Sequence, residues 1–154
     1  MKKHLTWLPL ILMALLSSAA VSTNAQSAYG VRANVPFDFT VGDKTIQAGK
    51  IVTNVPGSDA GPMAITNTGS GQTALRVART SRGADSSDEA KLVFRKYGNR
   101  YFLAEVWIPG LSVWEVMKSR GERAIEREMQ LARNSGNPWR NSKPELVAVS
   151  AHKQ

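Results

Sequence analysis

The sequence predicts a mainly β domain: an antiparallel sandwich or partly closed barrel of about six to eight strands, with one C-terminal α-helix. Three observations support this prediction. Apolar and polar residues alternate strictly from Val31 to Val41, which is typical of a strand with one buried side. Aromatic segments flank Gly98-Asn99, which fits a tight hairpin turn. Ser119 followed by Glu122 then forms a capping-box pattern that begins a segment with helical spacing.

The N-terminal segment has the features of a secretory signal peptide. Lys2 and Lys3 give a positive start, an apolar run extends from Leu5 to Val21, and Thr23 and Ala25 suit a cleavage site. We therefore expect residues 1–25 to be removed and the protein to be exported to the periplasm or the extracellular space. The alternative is an uncleaved N-terminal membrane anchor, for which a run of roughly seventeen residues is at the short limit.

Composition narrows the class of protein and the class of partner. The chain has 154 residues, no cysteine and a net charge of +8. This length suits one domain, and without disulfides an exported domain must rely on a hydrophobic core. The partner is unknown, but a basic exported chain favours an anionic envelope polymer, a lipid surface or another envelope protein. Export makes nucleic acid, the other common partner of basic chains, a poor candidate.

The aspartates of the alternating segment are predicted to shape structure rather than form a site. Phe37 and Phe39 share the apolar face, so Asp38 between them points toward water. Pro36 has no N–H, which places the strand at a sheet edge or bends it at that residue. Asp43 lies in the two-residue turn that follows the strand.

The spacing after Asp38 does not support a calcium loop. Such a loop needs a glycine at its sixth position and a glutamate at its twelfth, whereas Asp43 and Gly49 stand there. We expect no metal at this segment.

Short strands are predicted over residues 50–55, 63–67 and 73–78, where brief apolar segments are separated by loops rich in glycine and proline. Residues 79–89 are polar throughout and are predicted to form an exposed loop.

Pairing across Gly98-Asn99 predicts which residues of the aromatic hairpin share a face. Phe94 would lie opposite Leu103, and Leu92 opposite Glu105. The predicted core face carries Leu92, Phe94, Tyr101, Leu103 and Trp107. Glu105 shares that face and is the one weak acid candidate, because a carboxylate among aromatic rings can have a raised pKa. We favour a structural acid near the sheet rim, paired with a basic side chain, since no second catalytic group is identified.

A helix of roughly fourteen residues is predicted after Ser119, with a thin apolar stripe of Ile125, Met129 and Ala132. We expect it to pack loosely, over one end or edge of the sheet. The predicted domain is therefore residues 26–134. Residues 135–154 are predicted to be a flexible tail with at most one edge strand.

The sequence lacks the residues that several catalytic mechanisms require. His152, close to the end of the chain, is the sole histidine after residue 25, and no cysteine is present, so neither a catalytic triad nor a zinc site is supported. We expect no enzyme, no catalytic residue, no metal and no cofactor, but a secreted or periplasmic envelope-associated binding or structural module. The candidate binding surface is Arg120, Arg123, Arg127, Tyr97, Arg100 and Tyr101. The alternatives are a hydrolase-like enzyme using Glu105 or Asp38, or a carrier of a small apolar ligand inside the β shell.

Two segments, VPFDFTVGDKTIQAG and VFRKYGNRYFLAEVW followed by SRGERAIERE, resemble a family of small exported bacterial proteins of uncharacterised function. The resemblance covers most of residues 31–133. This sequence has Ile46-Gln47 where the family has Leu-Pro, and Lys50-Ile51 where a Thr-Tyr pair is usual, and both changes keep the strand pattern. The resemblance implies export and a β-rich domain, and it transfers no catalytic residue.

Overall fold

The computed structural model of the protein describes residues 29–81, 88–134 and 143–154. These residues form ten strands and one helix along the chain. In order they are β1 (Val31–Val35), β2 (Phe39–Val41), β3 (Lys44–Ile46), β4 (Gly49–Asn54), β5 (Ala60–Asn67), β6 (Thr73–Thr80), β7 (Lys91–Tyr97), β8 (Arg100–Trp107), β9 (Val113–Val116), α1 (Arg120–Asn134) and β10 (Glu145–Lys153).

Eight of these strands close into an antiparallel barrel. The neighbours follow the order β8-β7-β10-β1-β4-β5-β6-β9, and β9 pairs with β8 to complete the circle. Strands make up 55% of the described residues, so the predicted mainly β class with one helix is confirmed. The barrel is fully rather than partly closed, and closure removes the free edges that an open sheet would present.

Side chains fill the interior of the barrel, as an eight-stranded barrel of this kind allows. Phe94 lies at the centre of this core, with its ring centroid 5.2 Å from that of Phe37 and 5.1 Å from that of Phe39, both edge-to-face. Other large side chains of the core are Ile46, Ile51, Met63, Ile65, Leu92 and Val106. Apolar packing of this kind is the main stabilising term in a domain without disulfides.

The alternating segment forms two strands instead of one, because the chain bends after Val35. Pro36 lies in this bend, and β2 then runs parallel to β8, with Thr40 opposite Phe102. The alternation itself is confirmed, since Phe37 and Phe39 both contact Phe94.

The β2–β3 hairpin covers the end of the barrel at which β6 begins. Its turn uses Gly42 at a φ of 64°, a backbone conformation that glycine adopts without strain. Val41 and Ile46 point into the core, while the Lys44 ammonium donates to the carbonyl of Thr73 at 2.7 Å.

A β-bulge shifts the register of the β7–β8 hairpin by one residue. The turn at Gly98-Asn99 and the pairing of Phe94 with Leu103 are as predicted, but Val93 lies opposite Glu105, and Leu92 opposite Val106. Ala104 is the extra residue on β8. The prediction that Glu105 and Trp107 belong to the core face is therefore wrong: beyond the bulge Val106 points inward, and both neighbours point outward.

The C-terminal segment is an integral strand of the barrel. β10 pairs with β7 from Glu145 to Ser150 and with β1 from Ala151 to Lys153, so it has a partner on each side. The prediction of a flexible tail with at most an edge strand is wrong for residues 145–153, and the domain does not end at residue 134. Residues 135–142 lie outside the described residues.

Helix α1 lies against the outer surface of β7 near the hairpin turn, where Glu122 and Glu126 bond to side chains of that strand. Because the barrel is closed, the helix covers a wall instead of the predicted end or edge. The half-buried Ile125 and Met129 are the thin stripe that the sequence predicts. Within the three described ranges, no helix has both the length and the apolar character needed to cross a membrane.

Candidate functional site

A buried ion pair joins the helix to the barrel wall. The Arg95 Nε donates to the Glu122 Oε1 at 2.5 Å, and the two side chains are only 11% and 3% exposed. Tyr97, two residues along β7 on the same face, donates its hydroxyl to the same oxygen at 3.3 Å. Both faces of β7 are therefore buried, one inside the barrel and one beneath α1.

The cluster continues toward solvent through Glu126, one turn along the helix. Its Oε1 accepts hydrogen bonds from the Tyr97 hydroxyl and the Lys118 ammonium, each at 2.6 Å. We call Arg95, Tyr97, Lys118, Glu122 and Glu126 the docking cluster. Both carboxylates bond to side chains outside the helix, so turning the helix would separate them from their partners.

The docking cluster shifts the pKa of two of its members. Burial, followed by the hydrogen bond to Glu126 and the charges of Glu122 and Glu126, raises the pKa of Tyr97 far above its usual range. Desolvation alone would raise the pKa of Glu126, but hydrogen bonds from Lys118 and Tyr97, together with nearby positive charge, lower it overall. Tyr97 therefore stays a hydrogen-bond donor, and Glu126 stays ionised at neutral pH.

Backbone contacts place the first turn of the helix. The Ser119 hydroxyl accepts from the Glu122 N–H at 3.0 Å, so the predicted N-cap is confirmed. The Glu122 carboxylate, which a full capping box would direct back to the cap residue, bonds to Arg95 and Tyr97. Arg76 on β6 donates to the carbonyls of Met117 and Lys118 at 2.9 and 2.7 Å. The chain entering α1 is thus tied to the barrel wall on two sides.

The outward face of α1 carries a stripe of arginines. Arg120, Arg123 and Arg127 are all exposed and lie at helical spacing that places them on one side, opposite the buried Glu122. No acidic side chain within the described residues pairs with any of the three. Among those residues, the side-chain hydrogen bond found for the stripe runs from Arg123 to the carbonyl of Lys118. We call these three residues the arginine stripe. A shallow cleft of about 480 Å³ lies along it, between the stripe, Glu126 and Gln130.

The remaining residues of the candidate binding surface lie at different places on the barrel. Tyr97 is 6% exposed and belongs to the docking cluster, so its assignment to the surface is wrong. Arg100 is exposed beside the Phe102 ring, on the same face as Tyr97. Tyr101 lies on the opposite face, stacked on Phe37 with 3.9 Å between ring centroids. The aromatics and the arginines do not form one continuous patch.

Glu105 faces outward on the barrel wall and has structural partners. It accepts a hydrogen bond from the Trp107 indole at 2.7 Å and lies directly opposite Glu115 on β9. Glu115 in turn pairs with Arg79 at 3.1 Å, and the Lys91 ammonium lies 3.9 Å from the centroid of the Trp107 ring. These contacts are typical of a solvated strand face.

Asp38 has the structural role that the sequence predicts. Its side chain is exposed, and Oδ1 accepts from the Ala48 N–H at 2.8 Å, which ties the entry of β2 to the loop before β4. Glu105 bonds elsewhere, so the two acids proposed for a hydrolase do not share a site. Among the described residues, no three acids or histidines converge in a way that could hold a metal ion.

Two further clefts of the described surface are lined mainly by polar and charged residues. They have volumes of about 630 and 500 Å³ and lie beside the loop at Asn67 and beside the Arg79–Glu115 pair. Neither is lined by the side chains that fill the barrel interior. His152 is exposed on β10, opposite Arg32, and helps to line a cleft of about 390 Å³ together with Asp88, Glu89 and Ser150.

The residues that sequence reasoning missed are those of the docking cluster. A signal for it was present, because Arg95 and Tyr97 alternate with Leu92 and Phe94 on a strand that has large residues on both faces. The spacing of Glu122 and Glu126 also places both acids on one side of the helix. Neither pattern indicates that β7 and α1 are in contact.

Fold and site together define the class as a closed eight-stranded antiparallel β-barrel with one helix held against its wall by a buried ion pair. Comparisons of the chain with family models, with curated proteins and with solved structures found no match. The fold and the surface chemistry are therefore the basis for any statement about function.

Proposed function

We propose that the protein is a non-enzymatic binding module that recognises an anionic partner through the arginine stripe, Arg120, Arg123 and Arg127. The observation that carries this proposal is the division of charge on α1. The acids that face the barrel are bonded to Arg95, Tyr97 and Lys118, whereas the three outward arginines have no acidic partner among the described residues. Unneutralised guanidinium groups on one exposed side suit phosphate or carboxylate ligands.

The arginine stripe is well placed for binding because other residues hold the helix. The docking cluster and the Ser119 cap fix α1 on the barrel, so the outward side chains can contact a ligand, and only Arg123 would exchange a bond, to the Lys118 carbonyl, to do so. A ligand bound there meets three cations whose backbone positions are already fixed by the helix.

The test is a charge-matched pair of triple variants. Arg120→Gln/Arg123→Gln/Arg127→Gln removes the stripe, and Arg32→Gln/Lys50→Gln/Lys153→Gln removes the same charge from exposed positions on the barrel. Binding is measured to long-chain polyphosphate, an acidic polysaccharide and phosphatidylglycerol vesicles. Since each surface cation contributes about 1 kcal/mol toward an anionic surface, the stripe variant should lose at least tenfold in affinity. Equal losses in both variants would indicate non-specific attraction by net charge.

Export is part of the proposal and rests on the N-terminal sequence. Residues 1–25 lie outside the described residues, and the lysines, apolar run and small residues at Thr23 and Ala25 support cleavage there. Mass spectrometry of the full chain expressed in a bacterial host tests this. A mature N-terminus at Gln26 in the periplasm or medium is expected, and an intact membrane-bound chain would favour the anchor.

A hydrolase is the second candidate, favoured by one observation: Glu105 lies directly opposite Glu115, beside a polar cleft of about 500 Å³ that Asp59, Arg79 and Glu115 help to line. Two facing carboxylates are the groups that glycoside hydrolysis uses. Turnover of a panel of aryl glycosides by the wild type, abolished by Glu105→Gln or Glu115→Gln with the fold intact, would establish it. Absence of turnover would leave the binding module.

A further inference from the structure

We infer that the arginine stripe is one half of a longer basic groove, and that the ligand is an extended soluble polymer with repeating phosphate groups. This inference rests on the proposed function and concerns the class of ligand. The second half is a cleft of about 220 Å³ between the helix and the start of β10, lined by Tyr97, Lys118, Glu126, Met129, Gln130, Lys143 and Pro144.

The two halves are adjacent because they share a wall. Glu126 and Gln130 line both the cleft along the stripe and the cleft beside β10. We call the combined feature the basic groove; its cations are Arg120, Arg123, Arg127, Lys118 and Lys143. Among the described residues that line either half, Glu126 is the only acid, so the groove has an excess of positive charge along its length.

The shape of the groove favours a polymer chain over a flat membrane. From Arg120 to Arg127 the helix rises about 10 Å, and Glu126 lies roughly a quarter turn around the axis from the centre of the stripe. A planar bilayer that touches the stripe would not enter the recess on this flank, whose inner wall is the buried Tyr97. A flexible chain can follow the turn from the stripe into the recess.

The groups in the groove suit a chain of repeating phosphate groups. Arginine guanidinium groups bind phosphate oxygens in a bidentate manner, and lysine contacts them as a point charge. An exposed aromatic platform, which single-stranded nucleic acid uses for stacking its bases, is not found among the described residues that line the groove, since Tyr97 is buried.

Glu126 lowers the affinity of the recess for anions, because its carboxylate lies 2.6 Å from the Lys118 ammonium and neutralises it. Glu126→Gln keeps an oxygen that can accept from Tyr97 and Lys118 but removes the negative charge. This variant should therefore bind the polymer more tightly than the wild type. A residue with only a structural role would not give a gain in affinity when it is replaced.

The experiment measures affinity for inorganic phosphate, tripolyphosphate, long-chain polyphosphate and phosphatidylglycerol vesicles at two or more salt concentrations. The proteins are the wild type, Lys143→Gln, Glu126→Gln and the control Lys153→Gln, which removes an exposed lysine at the far end of β10. Lys143→Gln should weaken binding of long-chain polyphosphate about three- to tenfold and flatten its salt dependence by about one counterion. It should leave tripolyphosphate, which is short enough to occupy the stripe alone, unchanged.

The outcomes separate this inference from the proposed function. A loss with Lys143→Gln on the long polymer, a gain with Glu126→Gln and no change with Lys153→Gln support the groove. If Lys143→Gln behaves like Lys153→Gln while the triple arginine variant still loses binding, the groove is overturned and the stripe alone remains. Tighter binding to vesicles than to polyphosphate, unaffected by Lys143→Gln, also overturns it in favour of a membrane surface. If the triple arginine variant binds every probe as the wild type does, both proposals fail.

Discussion

Strand β7 buries its two faces in two different ways. Phe94 points into the barrel, where it contacts the rings of Phe37 and Phe39, and its neighbour Arg95 points outward to a carboxylate of the helix. Both residues are less than one-tenth exposed. Apolar packing is non-directional and nearly independent of pH, whereas a buried ion pair depends on geometry and on ionisation. The inner face therefore holds the barrel together, and the outer face orients one helix.

This difference predicts the largest stability effect at the inner face. Phe94→Ala should lower the free energy of unfolding by about 4 kcal/mol, because it removes apolar contacts and leaves a cavity that the closed barrel cannot fill. Chemical denaturation followed by far-UV circular dichroism measures the loss. Leu75→Ala on the exposed face of β6, where the side chain is 69% exposed, is the control and should change stability by less than about 0.5 kcal/mol. Similar losses in the two variants would contradict the assignment of the core.

At the outer face, chemical denaturation should show that the losses from replacing Arg95 and Glu122 are not additive. Glu122→Leu leaves the Arg95 guanidinium buried without its carboxylate and should cost about 3 kcal/mol. Arg95→Met/Glu122→Leu removes both charges and should cost much less than the sum of the two single variants. The control pair, Arg79 and Glu115, is 59% and 39% exposed, and Glu115→Gln should cost under about 1 kcal/mol. Additive losses at Arg95 and Glu122 would mean that the pair does not hold the helix.

The two faces should also respond differently to pH. The lowered pKa of Glu126 adds stability that is fully present above its unfolded value of 4.5 and is lost as the pH falls through the lower folded value. The raised pKa of Tyr97 has the opposite sign: its contribution is present below the unfolded value of 10.0 and is lost as the pH rises above it. The inner face has no such dependence.

Unfolding free energies at a series of pH values test this assignment. Glu126→Gln should reduce the acid slope below about pH 4.5, and Tyr97→Phe should reduce the alkaline slope above about pH 10. Because Tyr97 and Glu126 each shift the pKa of the other, each variant should also reduce the other slope in part. Phe94→Leu should lower the whole profile without changing its shape. A wild-type slope retained in both variants would place the titrating groups elsewhere.

The sequence predicts the inner face better than the outer face for a physical reason. Burial inside a barrel imposes a period of two on each strand, and that period is visible over Val31–Val41 without any knowledge of partners. It fails on β8 at Ala104, because an alanine inserted as a bulge has no chemical signature of its own. The outer face of β7 is buried only because a helix from another part of the chain covers it, and Arg95 and Glu122 are 27 residues apart.

The closure of the barrel and the position of β10 also depend on contacts that the local sequence does not indicate. A mildly apolar segment such as LVAV predicts an extended strand, but its position between β1 and β7 depends on pairing with residues far away in the sequence. The arginine stripe was visible because it depends on helical spacing alone. The recess beside Lys143 was not visible in the sequence, because it is formed where the helix meets the start of β10.

The smallest effect is expected at the N-cap, which belongs to the outer face but is local in sequence. Ser119→Ala removes the oxygen that accepts from the Glu122 N–H at 3.0 Å and should cost about 1 kcal/mol. Ser119→Gly should cost only a few tenths of a kcal/mol, because glycine is tolerated at this position. If packing were the role of this residue, which is 2% exposed, glycine would be worse than alanine, since it leaves the larger void. The order of the two variants in thermal or chemical unfolding therefore decides between capping and packing. If Ser119 acts as a cap, part of what positions α1 on the outer face of β7 is a contact between residues only three apart in the sequence.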